Sequence, residues 1–370
     1  MSYTVWFRSL ASRCFLAVAG LALLVGLAPI LGWADDRSGA VYVLSNQSTG
    51  NSVLVYHRAA DGTLSFSDSF PTRGIGMGTG GDPLASQGAV VVGSELLFAV
   101  NAGSNDISMF RASGDKLVLL DKAPSGGQMP VSIAVHGLLV YVLNAGGTPN
   151  ISGFIIDPFR RRLIPLPNSQ RPLAGGSAAK PAEVSFSAHG GVLLVTEKGT
   201  QIIDTYRVNF LGYASGPTSN PSSGVTPFGF SVTKRGYTIV SEAGSGAASS
   251  YDIEDNGKLE LVSGSISLGQ TAPCWLVTTS DGRYAYTANA GSDSIGSFSI
   301  ASNGELTLLS GAAGSVSTPL DLGMTSDSQF LYVREGTGAV SGFHVERDGS
   351  LTFVSSVANI PPGAQGIAVR

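Results

Sequence analysis

Glu183 and Asp321 each stand two residues beyond a proline, Pro181 and Pro319, and each opens a short apolar run. Two carboxylates at the same point of equivalent elements can serve one substrate as general acid and base, or hold a cation between them. Ser132, Gly229 and Trp275 occupy the same point after Pro130, Pro227 and Pro273, and Gln87 and Gln365 align with it through the runs that follow them. A second series closes another set of apolar runs: Asn46, Asn101, Asn144, Glu197, Glu242, Asn289 and Glu335. Asparagine there reads as a turn residue that caps its own loop. Glutamate forms turns poorly, and two of the three glutamates adjoin Lys198 and Arg334, cations suited to an ion-paired patch or to holding an anion. The candidate site is therefore Glu183 and Asp321 as catalytic groups, with Arg334, Lys198, Glu197, Glu242, Glu335, Trp275, Gln87 and Gln365 binding substrate.

Other chemistries find less support. His136 and His189 fall where equivalent segments have a turn such as Asp281-Gly282, and His57 and His344 share one strand position, so all four histidines read as structural. Cys274 has no recognisable base nearby and reads as a small buried hydrophobe. The glycine-rich stretch 74–81 lacks the strand-to-helix context of a phosphate cradle and reads as a flexible loop. No metal-ligand spacing occurs. No cofactor is expected, the one alternative being a divalent cation in the acidic mouth.

The elements that position these residues repeat. Seven runs, beginning with Val41–Asn46 and ending with Phe330–Glu335, have last residues 43 to 55 positions apart. That is the length of a four-stranded propeller blade with its loops. After each run comes a strand with an aromatic near its end, such as Tyr56, Phe110 or Phe343. In four repeats a turn follows, Asp61-Gly62, Asn256-Gly257, Asn303-Gly304 or Asp348-Gly349, and then a proline-led strand. The first repeat lacks its proline-led strand and the last such strand, Gln365–Arg370, has no repeat after it. Pairing the two closes the ring and removes an open sheet edge. The expectation is an all-β, seven-bladed propeller of four-stranded blades, with the proline-led strand innermost. Inner-strand starts and second-strand ends then share one face, and the Asp-Gly turns lie on the other.

Composition agrees. Glycine makes up 49 of 370 residues and charged residues only 13%, against about 7% and 25% in ordinary globular chains. Arg8 and Arg13, an apolar run from Cys14 to Leu31 and Gly32-Trp-Ala34 have the order of a secretory signal. Cleavage is expected after Ala34, with a retained anchor as the alternative; Arg13 rules out lipid attachment at Cys14. The expected organisation is a signal over 1–34 and one propeller domain over 35–370, secreted or periplasmic. No other stretch could span a bilayer, so no membrane contact is expected after signal removal. Without the signal the formal charge is −6, which argues against nucleic acid. Only Cys274 remains, so no internal disulfide can form. A monomer acting on a small molecule is expected.

The chain over 40–370 resembles the lactonase family of seven-bladed propellers, which includes bacterial 6-phosphogluconolactonases and fungal carboxymuconate-lactonizing enzymes. The resemblance rests on Val100-Asn-Ala-Gly-Ser-Asn-Asp-Ile-Ser108, Thr226-Pro-Phe-Gly-Phe230, Cys274-Trp275 and Arg283-Tyr-Ala-Tyr-Thr-Ala-Asn-Ala-Gly-Ser292. It implies a hydrolase or cycloisomerase acting on a small hydroxy-acid lactone at the channel mouth. The muconate-lactonizing relatives are thought to use a His, an Arg and a Glu, and no histidine here maps to the channel face. A phosphorylated lactone would favour a more basic mouth. The alternative function is a non-catalytic propeller that binds or scaffolds in the cell envelope.

Overall fold

The structure is a computed structural model, and it describes residues 38–78, 80–93 and 95–370. The expected signal lies outside the described residues. Seven antiparallel sheets follow one another along the chain. Six are built from consecutive strands, as in blade 4, where Pro181–Phe186, Val192–Glu197, Ile202–Val208 and Ala214–Pro221 run from the inside out. The seventh, blade 1, is composite: Ile367–Val369 is its inner strand, pairing with Gly39–Leu44 in the register Val43↔Ile367 to Val41↔Val369. The fold and its closure are as the repeat implied.

The second strands are the most buried elements. Val192–Glu197 and Phe330–Glu335 have every residue buried, as suits strands covered on both faces by neighbouring blades. Their β-branched and aromatic side chains fill the wedges between sheets. Four second-strand tyrosines add a polar link. The hydroxyls of Tyr42, Tyr141, Tyr286 and Tyr332 donate to the carbonyls of Gly114, Gly212, Gly349 and Gly62 at 3.2, 2.8, 2.9 and 2.7 Å. Each acceptor is the turn glycine of the next blade, in positive φ, so the Asp-Gly type of turn both reverses the chain and latches one blade to the preceding one. Tyr332 makes that latch from blade 7 to blade 1.

Candidate functional site

At the starts of the inner strands, side chains join one blade to the next. Val184 N–H donates to Ser132 Oγ at 3.2 Å, Phe230 N–H to Glu183 Oε2 at 2.7 Å, and Ile367 N–H to Asp321 Oδ2 at 3.2 Å. Glu183 and Asp321 therefore occupy equivalent places, as their spacing required. Both line a cavity of about 240 Å³ in the central channel, with Gln87, Val91, Val277 and Leu322. Glu183 also borders a second cavity of about 450 Å³ that runs between the inner strands of blades 2, 3 and 4 toward the hairpin-turn face. Burial raises both carboxyls well above the usual carboxylate range, and for Glu183 the charge of Asp321 adds to the effect.

The channel mouth is crossed by the segment 82–88. Leu84 N–H donates to Gln365 Oε1 of blade 1 at 2.8 Å, and Ser86 Oγ to Val131 O of blade 3 at 2.8 Å. Gln87 N–H donates to Ala182 O of blade 4 at 3.1 Å, and Trp275 Nε1 of blade 6 to Ser86 O at 2.8 Å. The Gln87 amide binds both backbone groups of Leu276 in blade 6 (2.8 and 2.9 Å). The glycine-rich loop read as flexible thus leads into a strap tied to four other blades. Trp275, Gln87 and Gln365 are buried under or within it. Trp275 and Gln87 hold the strap, and Gln365 holds it and Asp82 together.

The three ring glutamates form no common patch. Glu197 accepts Gly175 N–H (3.1 Å) and the Thr200 hydroxyl. Glu242 accepts Gly224 N–H (2.7 Å), Ser249 Oγ and Ser265 Oγ. Glu335 accepts Ser317 N–H (2.8 Å) and the Ser341 hydroxyl. All are buried. Each caps the loop entering its blade, and Asn46 likewise binds the loop entering blade 1, donating from Nδ2 to Gly363 O at 3.0 Å.

At the strap itself a different set converges. Asp82 Oδ1 accepts Ala85 N–H at 3.0 Å and the Gln365 amide. Lys198 donates to Ala85 O and, at 3.4 Å, to Pro181 O, with its ammonium 4.6 Å from the centre of the Phe228 ring. Burial pushes the Asp82 carboxyl up to about 6, offset in part by the charges of Lys198 and Arg334. Burial likewise lowers Lys198 to about 8, offset by Asp82. Arg334 is 1% exposed and stands opposite Asp321 in the strand register. Its Nε and Nη1 have no hydrogen-bond partner, although Asp321 and Asp82 both act on it through their charge. The Cys274 thiol is pushed up to about 12 by burial, so it is no thiolate nucleophile.

This geometry matches one known architecture. Residues 269–365 match the family described as the 7-bladed β-propeller lactonase. Two of the segments that carry the resemblance, Cys274-Trp275 and Arg283–Ser292, lie within that match. No curated protein matches the chain. Solved structures with the same fold include a candidate 6-phosphogluconolactonase from Bacteroides uniformis (TM-score 0.69, 16% identity, 90% of this chain and 99% of that one). A Lactobacillus plantarum protein (TM-score 0.72, 16% identity, 90% and 99%) and the periplasmic gluconolactonase of Pseudomonas aeruginosa (TM-score 0.67, 15% identity, 90% and 99%) are similar to the same extent. At such identities the likeness is one of fold.

Within this propeller the histidines stay away from the mouth. His57 Nδ1 lies 3.0 Å from Asp115, His344 Nδ1 lies 3.0 Å from Glu346, and His136 packs 5.5 Å from the Phe186 ring. Among the described residues no three His, Cys, Asp or Glu side chains converge as a cation would require. Asp82 is the site residue that sequence reasoning missed. Its signal was the Gly-Asp-Pro that ends the glycine-rich stretch, a rigid exit from a loop at the blade mouth.

Proposed function

We propose that this chain is an exported hydrolase of small hydroxy-acid lactones, working at the strap with Asp82 as general base and Lys198 as the group that stabilises the oxyanion. The carrying observation is that Asp82 and Lys198, both bound to the strap residue Ala85, are held at about 6 and about 8 by burial and by each other's charge at the mouth of this propeller. Groups of opposite charge perturbed together support a reaction site there. Asp82, ionised at neutral pH, takes a proton from water as the oxygen attacks the lactone carbonyl. Lys198, using a third N–H beyond those given to Ala85 and Pro181, meets the oxyanion. Collapse breaks the acyl–oxygen bond, and the ring oxygen leaves as an alcohol with the proton returned from Asp82. Arg334 acts through Asp82, keeping it ionised.

Glu183 and Asp321, tied to backbone N–H groups beneath the strap, hold the inner strands in register on this reading. The signal-like order of residues 8–34 supports export, and the Pseudomonas neighbour is itself described as periplasmic. The test is hydrolysis of a panel of aldonolactones by residues 35–370 and by Asp82→Asn, Lys198→Met and Glu183→Gln. Loss in the first two with retention in the third is expected. Equal activity in all four refutes the assignment, and no turnover on any lactone favours a binding module.

A further inference from the structure

The turns joining third and fourth strands lie on the face opposite the strap. In five blades their tips are small or polar: Ala59-Ala-Asp61, Gly114-Asp115, Asp255-Asn256, Ser302-Asn303 and Arg347-Asp348. Blades 3 and 4 differ. Phe159 and Phe210, at the corresponding tips, are each 95% exposed, with Leu211 and Leu138 exposed beside them. The turns themselves are well fixed. Asp157 Oδ1 accepts the N–H groups of Phe159 and Arg160 at 2.9 Å, and Asn209 Oδ1 those of Leu211 and Tyr213 at 3.0 Å. The same side-chain device thus holds an aromatic outward on two neighbouring blades. The blade 4 turn rests on blade 3 through the Tyr141 hydroxyl, which donates to Gly212 O, so the two tips belong to one surface.

Charge distinguishes this surface too. Arg160, Arg161 and Arg162 follow Phe159, Arg207 precedes Phe210, and Lys234 and Arg235 stand on the turn between inner and second strands of blade 5; all six are exposed. Asp157 pairs with Arg160 at 3.3 Å and Asp121 accepts Leu163 N–H at 2.8 Å beside the blade 3 turn. On blade 5, Asp252, Glu254, Asp255 and Glu260 offset Lys234, Arg235 and Lys258, so the cationic excess lies on blades 3 and 4. The whole chain carries −4, so a cationic face runs against its overall sign.

We propose that the hairpin-turn face of blades 3 and 4 docks on an anionic lipid bilayer, with Phe159 and Phe210 entering the headgroup region and the arginines meeting lipid phosphates. Aromatic tips standing free of any groove, ringed by cations, suit a soft anionic interface. A second copy of the chain fits poorly, because a two-fold contact would set the arginines against themselves. No described helix is long and apolar enough to cross a membrane, so the contact is peripheral.

The test is co-sedimentation of residues 35–370, whose ring closes on its own ends, with vesicles of phosphatidylcholine alone or with about a third phosphatidylglycerol. Binding is expected on the anionic vesicles and should weaken with salt. Phe159→Ser with Phe210→Ser should lower the partition coefficient about tenfold or more. Arg161→Glu with Arg162→Glu should abolish the preference for anionic lipid. Melting temperature and lactone turnover should be unchanged in both. No binding to anionic vesicles, or equal binding by the double serine variant, overturns the proposal. So does binding of polyglutamate without vesicle binding, which would indicate an acidic protein partner. A dimer in sedimentation velocity that the serine variant disperses, again without vesicle binding, would point to a second copy.

Discussion

Gly229 lacks a side chain where the amide of Gln87 stands: a Cβ at Gly229 would fall on Gln87 Oε1 and lie 2.9 Å from Cys274 O. In blades 3, 4 and 7 the residue at this point accepts an N–H from the next inner strand, through Ser132, Glu183 and Asp321. Blade 5 has glycine, and Gln87 crosses from blade 2 to accept Leu276 N–H in its place. The strap is thus keyed into a gap in the ring.

Gln87→Ala should consequently leave the N–H and carbonyl of Leu276, a fully buried residue, without their partner. Each orphaned group costs about 1–3 kcal/mol. Gly229→Ala should be comparably destabilising by displacing the amide. Urea denaturation of both variants checks this, and a double variant no worse than either single one would establish that they act through the same contact.

Lactone turnover should have a bell-shaped pH dependence, with an acid limb near the Asp82 value of about 6 and a basic limb near the Lys198 value of about 8. Arg334 lowers the Asp82 value through its charge. Arg334→Met should therefore move the acid limb upward while the basic limb stays in place. An unmoved acid limb would detach Arg334 from Asp82. A purely structural role for the arginine would alter stability without altering the profile.

What the sequence made legible follows from where each signal resides. Strand runs, turn glycines and leading prolines are local, and they repeat, so blade number, strand order and closure through Gln365–Arg370 could all be read. The equivalence of Glu183 and Asp321 came from the same register, and both do line the channel. The strap could not be read, because 74–88 has no counterpart in the other blades. Its partners, Lys198, Trp275, Leu276 and Gln365, lie more than 100 residues away in the chain. Asp82 owes its displaced value first to burial in the assembled ring, with Lys198 and Arg334, distant in the chain, acting on it through their charge. Glu197, Glu242 and Glu335 stood out by residue type. Their oxygens are taken up by loop N–H groups and hydroxyls, which only coordinates reveal.

Stability should fall as pH rises from about 4 toward 8, the opposite of ordinary acid denaturation. Glu183 and Asp321 are raised well above their usual values, mainly by burial, Asp82 to about 6 and Asp204 to about 7, the last by burial and then by adjacent Glu197. The folded chain therefore keeps protons that the unfolded chain, titrating near 4, has released, and the slope of stability with pH is negative across that window. It amounts to about 1.4 kcal/mol per pH unit for each proton held. Lys198, lowered to about 8, acts with the opposite sign only above pH 8. Melting temperatures from pH 5 to 8 should decline, and Glu183→Gln should flatten the decline.

Ending the chain at Pro362 should destabilise the entire ring. Residues 367–369 supply the whole inner strand of blade 1, and Arg370 exchanges backbone hydrogen bonds with Ala40 at 2.8 and 3.0 Å. Without them Gly39–Leu44 loses its inner partner, Asp321 loses the N–H of Ile367, and Asp82 and Leu84 lose the Gln365 amide. Strap and closure should therefore fail together. Tyr332→Phe separates the two, because it breaks only the latch from blade 7 to Gly62, 2.7 Å long, and leaves the strap intact. It should cost about 1–3 kcal/mol, as expected for one orphaned buried carbonyl, with lactone turnover retained. The truncation should cost far more and abolish turnover. A truncated protein that melts like the full-length one would mean that blade 1 is held by its remaining three strands alone.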